Sequence, residues 1–161
     1  MASMRDIQRR RNSIASTQQI TKAMKLVSTV KLQRTREKAE ECKPYFNHMY
    51  ATVTSMLART GIVEHPYLKS GKSGKKGVIV ISSNRGLAGG YNSNILKLVQ
   101  QTHGNEYMPK IIAVGKKSAE FFTKHEYDVV AQFPGIAEHI KTADAADIAQ
   151  IATDLFTKGE V

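Results

Sequence analysis

The sequence holds one cysteine, Cys42, among 161 residues. A lone thiol excludes an internal disulfide and a metal site built on paired thiols. Tryptophan is absent, and no aromatic residue precedes Tyr45. Between Met4 and Lys43 there is neither glycine nor proline. No apolar run approaches the ~20 residues that a membrane-spanning helix needs. The first residues are too polar for a secretory signal peptide, so an intracellular protein, water-soluble or peripherally bound, is expected. Acidic side chains are also short: 14 against 24 Lys and Arg give a net charge of +10. A balance this basic favours acidic or anionic partners such as nucleic acid, lipid head groups or acidic protein surfaces. What remains is an ordinary folded composition with room for about one domain and an appendage.

The charge is unevenly spread. Residues 1–43 carry 11 basic and 4 acidic side chains, while residues 44–161 carry 13 and 10. A basic arm therefore precedes a nearly balanced body, which points to one segment with a partner of its own. The arm is rich in Gln, Lys, Arg, Ala, Met and Leu, all good helix formers. Ser3 is placed to cap a helix, with Asp6 in the first turn near the positive end of the dipole. Ile7, Ile14, Ile20, Met24, Val27 and Val30 form a thin apolar stripe that drifts round the helix. A stripe so thin buries too little to be stable alone and wants a helical partner. Phe46, Met49, Tyr50, Val53 and Leu57 continue at helical spacing beyond Pro44, and Arg59 and Gly61 mark an end. The expectation is one rod over residues 4–60 with a bend near Pro44, roughly 80 Å long, part of which projects from the body.

Residues 61–76, with Gly61, Pro66, Gly71, Gly74 and four lysines, are expected to form an unpacked linker. The lysine-rich run from Lys69 to Lys76 has the look of a phosphate-binding stretch, although such runs are usually solvated loops. From Gly77 the pattern alternates. Val78–Ile81, Ile111–Val114 and Val129–Phe133 are short apolar runs, the first two of the kind expected of buried parallel strands. Helical segments follow around Ile95–Val99, Ala119–Phe122 and Ile148–Leu155. The order β-α-β-α-β-α implies an open α/β sheet with right-handed crossovers. Such a unit usually expects another strand after its last helix, so residues 77–161 are read as an incomplete α/β domain.

No catalytic constellation emerges. The stretch from Ser82 to Asn94 lies between a strand and a helix, where phosphate loops lie, but fits neither dinucleotide nor Walker spacing. Gly115-Lys116-Lys117-Ser118 resembles the end of a Walker loop and fails, because Lys110 stands where the leading glycine belongs and the step to serine is one residue too long. His48, His65, His103, His125 and His139 are not spaced for a metal site. There is no nucleophile elbow. No catalytic, cofactor-binding or metal-binding residue is assigned. A nucleic-acid-binding arm is the alternative reading, set against its lack of aromatic residues for stacking.

Two segments carry a resemblance. The arm Ile20-Thr21-Lys22-Ala23-Met24-Lys25-Leu26-Val27-Ser28 with its opening Ser3-Met4-Arg5-Asp6-Ile7, and the loop Asn84-Arg85-Gly86-Leu87-Ala88-Gly89-Gly90-Tyr91-Asn92-Ser93-Asn94, closely resemble the gamma subunits of F-type rotary ATP synthases. The match runs the length of the chain. The resemblance implies a central shaft: a long N-terminal helix forming one strand of an antiparallel coiled coil inside a catalytic alpha-beta hexamer. An open, Rossmann-like α/β body would follow, joined to the epsilon subunit and the membrane rotor ring. It implies contacts with the catalytic subunits at Arg9, Arg10, Ile14, Ile20, Lys22, Met24, Lys25 and Val27, and a loop near the rotor foot at Arg85, Gly86, Gly89, Gly90 and Asn92. It implies no cofactor, no catalytic residue and no nucleic acid, and a place on the cytoplasmic side of the cell membrane, held peripherally through the complex. The family runs to nearly twice this length and ends in a second long helix, so the chain is expected to be a fragment.

Overall fold

Helix-forming residues without a breaker give a helix for as long as they last. In the computed structural model, which describes residues 3–61, 63–69, 73–103, 108–136 and 140–161, helix α1 runs from Met4 to Thr60. Ser3 caps it: its Oγ accepts from the amide of Arg5 at 3.3 Å, and its carbonyl accepts from Asp6 at 2.8 Å and Ile7 at 3.1 Å. Gly61 ends it at φ 72°, a conformation that favours glycine. Pro44 lies inside the helix, which continues through it. Proline there forfeits one backbone hydrogen bond at a cost of about 3 kcal/mol. At 1.5 Å per residue, 57 residues rise about 85 Å. No residue of α1 is buried.

The chain divides into two units, residues 1–63 and 64–161. In the second, three five-residue strands form a parallel sheet in the order β1-β2-β3. These are β1 (Gly77–Ile81), β2 (Lys110–Val114) and β3 (Val129–Phe133), with Val78 beside Ile111 and Ile111 beside Val129. They alternate with α2 (Tyr91–His103), α3 (Lys116–Lys124) and α4 (Thr142–Thr157). This is the expected α/β order, and parallel pairing follows because each helix returns the chain to the same end of the sheet. Successive strand side chains take opposite faces. Val80, Ile111 and Ala113 meet Leu96 and Val99 of α2 and Ala119 and Phe122 of α3, forming the core. On the other face, Ile112 lines a groove together with Ala152, Leu155 and Phe156 of α4.

Two expectations change. The apolar run of β1 was expected to be buried, yet only Val80 within it is. The strand lies at the edge of the sheet, so half its side chains lack a covering layer. The stretch 61–76 was expected to be unpacked. Instead Pro66–Leu68 forms a turn of 3-10 helix, with the His65 imidazole accepting from the Tyr67 amide at 3.2 Å. The Tyr67 ring stands edge-on to Phe156 of α4, centroids 6.2 Å apart. An aromatic ring against an apolar helix face outweighs the loop-forming character of its neighbours. Of the Lys69–Lys76 run, Ser70, Gly71 and Lys72 lie outside the described residues. The carbonyl of Lys76 joins the sheet by accepting from the Lys110 amide at 3.0 Å.

Candidate functional site

The carboxyl ends of parallel strands are where α/β proteins hold phosphates, against the amides of the next helix. That position is occupied here by the protein's own loop. Helix α3 begins after Gly115, which has no side chain to cap it. Its first amides are satisfied from the β1–α2 loop. Lys116 donates to Asn84 Oδ1 at 3.0 Å, Lys117 to the Ser83 carbonyl at 3.1 Å and Ser118 to Ser82 Oγ at 2.8 Å. The buried hydroxyls of Ser82 and Ser118 lie 2.9 Å apart, and Ser118 Oγ also reaches the carbonyls of Val114 and Gly115 at 3.1 and 3.0 Å. Gly115 sits at φ 97°, and a Cβ there would lie 2.2 Å from the Ser82 carbonyl oxygen. Three anion-ready amides are thus consumed internally, and the Walker-like Gly115–Ser118 run is a packing device. The signal in the sequence was Ser82, Asn84 and Ser118, polar residues spaced to reach one another only once the strands are paired.

The loop that does this also carries the family-like residues. Asn92 is committed inside it: its Oδ1 accepts from the Ser83 amide at 3.0 Å and its Nδ2 donates to Ser83 Oγ at 2.7 Å. Arg85, Gly86, Gly89 and Gly90 are exposed. Gly89 takes φ 57°, and so, at φ 61°, does its non-glycine neighbour Leu87, which is 94% exposed. Leu87 was not singled out beforehand, since no residue type announces a left-handed leucine.

On α1, Arg9, Arg10, Ile14, Ile20, Lys22, Met24, Lys25 and Val27 are all exposed. At roughly 100° per residue, Ile20, Met24 and Val27 share one face with Arg9. On the same count Arg10, Ile14 and Lys25 lie roughly 80–140° round from Ile20, and Lys22 almost opposite. The eight residues therefore do not form one patch. They spread over roughly 220° of the helix circumference and leave the remaining roughly 140° without one, so a flat surface would touch only part of the set.

Among the described residues three titratable groups are shifted. Hydrogen bonding to Glu160 holds Lys110 above its ordinary 10.5, and the same bond holds Glu160 below its ordinary 4.5. Lys110 also lies 3.9 Å from Asp128, so this cluster ties the start of β2 to the segment after α4. Glu120, bonded to Lys117 and near Lys116, is likewise lowered. His65 serves the 3-10 turn, and His125 Nδ1 lies 2.8 Å from the Phe121 carbonyl. His48 is exposed, and His139 and the His103 side chain lie outside the described residues. Among the described residues no three His, Cys, Asp or Glu side chains come together to hold a metal ion. None of the described helices is long and apolar enough to cross a membrane.

These features define a class: a long basic helix leading into a small parallel α/β unit whose phosphate position is filled by its own loop. The chain belongs to the ATP synthase family, whose profile matches residues 3–161. It is 53% identical over 161 residues to the ATP synthase gamma chain of Lachnoclostridium phytofermentans, covering all of this chain and 55% of that one. It is 38% identical over 160 residues to the gamma chain of Desulforamulus reducens, covering 99% of this chain and 56% of that one. The chain spans about half the length of the curated relatives it matches.

Proposed function

We propose that this chain serves as the central stalk of a rotary ATP synthase, coupling ion flow at a membrane rotor ring to ATP synthesis or hydrolysis in a catalytic hexamer. Its match to proteins named gamma chain along its whole length carries the reading. Residues 1–60 are the shaft, one strand of an antiparallel coiled coil inside alternating alpha and beta subunits. Residues 61–76 link it to a body, residues 77–161, that faces the epsilon subunit and the rotor ring. Arg85, Gly86, Gly89, Gly90 and Asn92 shape that body near the rotor foot. The whole is held peripherally on the cytoplasmic side of the cell membrane.

The chain itself performs no chemistry in this mechanism. A shaft with Ile20, Met24 and Val27 on one side and Lys22 nearly opposite presents a different surface to each subunit around it. Catalytic sites touching different surfaces have different nucleotide affinities. Turning the shaft exchanges those affinities, which is a coupling free energy between shaft angle and ligand binding. Contacts spread over more than half the circumference suit a helix held on more than one side, and the excess of basic side chains suits acidic loops on the collar. Each exposed ion pair contributes only about 0–1 kcal/mol, so charge acts by steering and register more than by affinity. The nucleic-acid alternative has no support from the family.

The experiment is co-elution of the chain with a purified alpha-beta hexamer. Association is expected at ~50 mM salt and should weaken strongly by ~500 mM as the charges are screened. Arg9-Arg10-Arg11→Ala should weaken it further at low salt. Failure of the wild-type chain to associate at low salt overturns the reading.

A further inference from the structure

Sixteen residues separate the end of α1 at Thr60 from the start of β1 at Gly77. Three glycines, four lysines and two serines lie among them, a composition that behaves as a flexible coil unless something fastens it. The body fastens it well before the sheet begins. Pro66 opens the turn of 3-10 helix with its φ already set by the ring. The amides of Leu68 and Lys69 donate to the carbonyls of His65 and Pro66 at 3.0 and 3.3 Å, and the Tyr67 amide donates to His65 Nδ1 at 3.2 Å. The His65 and Tyr67 rings stand 5.0 Å apart at 62°. The turn thus fixes the direction in which Tyr67 leaves the backbone.

That direction is toward α4. The Tyr67 ring meets Phe156 edge-on, at 6.2 Å and 63°, the arrangement in which the positive rim of one ring faces the negative face of the other. Phe156 is held in turn. It follows the buried Leu155 and lines a groove with it and with Ile112 of β2. The line of support therefore runs from the turn through α4 to the central strand. The unit that contains Tyr67 begins at Glu64, only a few residues after α1 ends.

We propose that Tyr67 is the pin that shortens the tether between the two units, a positioning residue that acts through Phe156. Unfastened, a coil of sixteen residues spans roughly 20–24 Å r.m.s.. Six residues lie between Thr60 and Tyr67, a coil length of roughly 12–15 Å. The volume open to the end of the helix falls about fourfold, because local concentration scales as the −3/2 power of tether length. In a stalk, slack between shaft and body absorbs rotation that would otherwise reach a partner. That consequence rests on the stalk reading. The pin does not, because it is a property of the 161-residue chain alone.

The chain carries a reporter for the test, since its single cysteine, Cys42, is exposed on α1. Gln100→Cys adds a second thiol at an exposed position of α2. Spin labels on the two give the distribution of distances between the units by double electron–electron resonance. Tyr67→Ala is expected to broaden that distribution by about 1.6-fold, the square root of the ratio of tether lengths. Tyr67→Phe keeps the ring and should reproduce the unsubstituted width. Protection of the β2 amides against exchange, measured on each variant, reports that the body is folded. Should Tyr67→Ala lose it, His65→Ala, which removes only the side-chain acceptor of the turn, is read in its place and should broaden the distribution in the same direction. An unchanged width in the folded alanine variant overturns the proposal, and so does a Tyr67→Phe distribution as broad as that of Tyr67→Ala. Broadening in a chain that fails to co-elute with an alpha-beta hexamer would overturn the stalk reading and uphold the pin.

Discussion

Among the described glycines, Gly115 bears the most structural weight. Its φ of 97° is unfavourable for any other residue, and the missing Cβ leaves the only room for the Ser82 carbonyl. Gly115→Ala is expected to destabilise the α/β unit by about 2–4 kcal/mol, combining backbone strain with a broken close approach. Equilibrium urea denaturation measures it. The Lys110–Glu160 pair makes a prediction of opposite sign at its two pH limits. Glu160 is lowered, so its contribution is complete above 4.5 and fades as pH falls through its depressed value. Lys110 is raised, so its contribution is complete below 10.5 and fades as pH rises through its elevated value. Glu160→Gln should flatten the acid limb of the stability–pH profile between pH 4.5 and strong acid, read by denaturation at fixed temperature. Neither residue was legible in the sequence, since they are 50 positions apart and come together only when the segment after α4 returns to the sheet.

The helices differ in what holds them. Helix α1 is sustained by local terms alone: a capped start, the Arg36–Glu40 pair at 2.8 Å, and composition. Seven of its threonines, including Thr17, Thr21 and Thr29, donate back to the carbonyl four residues earlier. Such back-bonding slightly weakens a helix. Helix α3 instead buries Ser118, Ala119 and Phe122 and borrows its cap from a neighbouring loop. Amide exchange should therefore be fast along α1 in the free chain and slow in β2 and α3, by at least about a hundredfold. Uniformly slow exchange along residues 4–60 would show that α1 is covered in solution without a partner. The start, the end and the continuity of α1 were all readable beforehand, because capping and propensity act within a few residues. The self-filled phosphate position was not, because it depends on which loop the α3 amides meet.

At the level of the whole molecule, two units held by different forces should respond separately. Phe122 of α3 is completely buried in the core that α2, α3 and the sheet share. Phe122→Ala should cost the α/β unit about 3–5 kcal/mol through lost transfer energy and a cavity. The same variant should leave exchange along α1 unchanged, since distant sites without shared partners act additively. Parallel slowing or quickening in both units would show that they are coupled.

The sequence by itself determined the elements, their order and the class of sheet. Those follow from short-range rules: apolar period, glycine and proline placement, and the need of parallel strands for helical crossovers. It also carried the family signature, at Ile20–Ser28 and Asn84–Asn94. Only the tertiary structure decided that β1 keeps one face and one edge open, that Tyr67 joins the body, and that Ser82, Ser83 and Asn84 close the phosphate position. Each of those is a matter of what lies opposite a residue across the fold, and a pattern along the chain holds no information about a neighbour brought near from some 30 residues away.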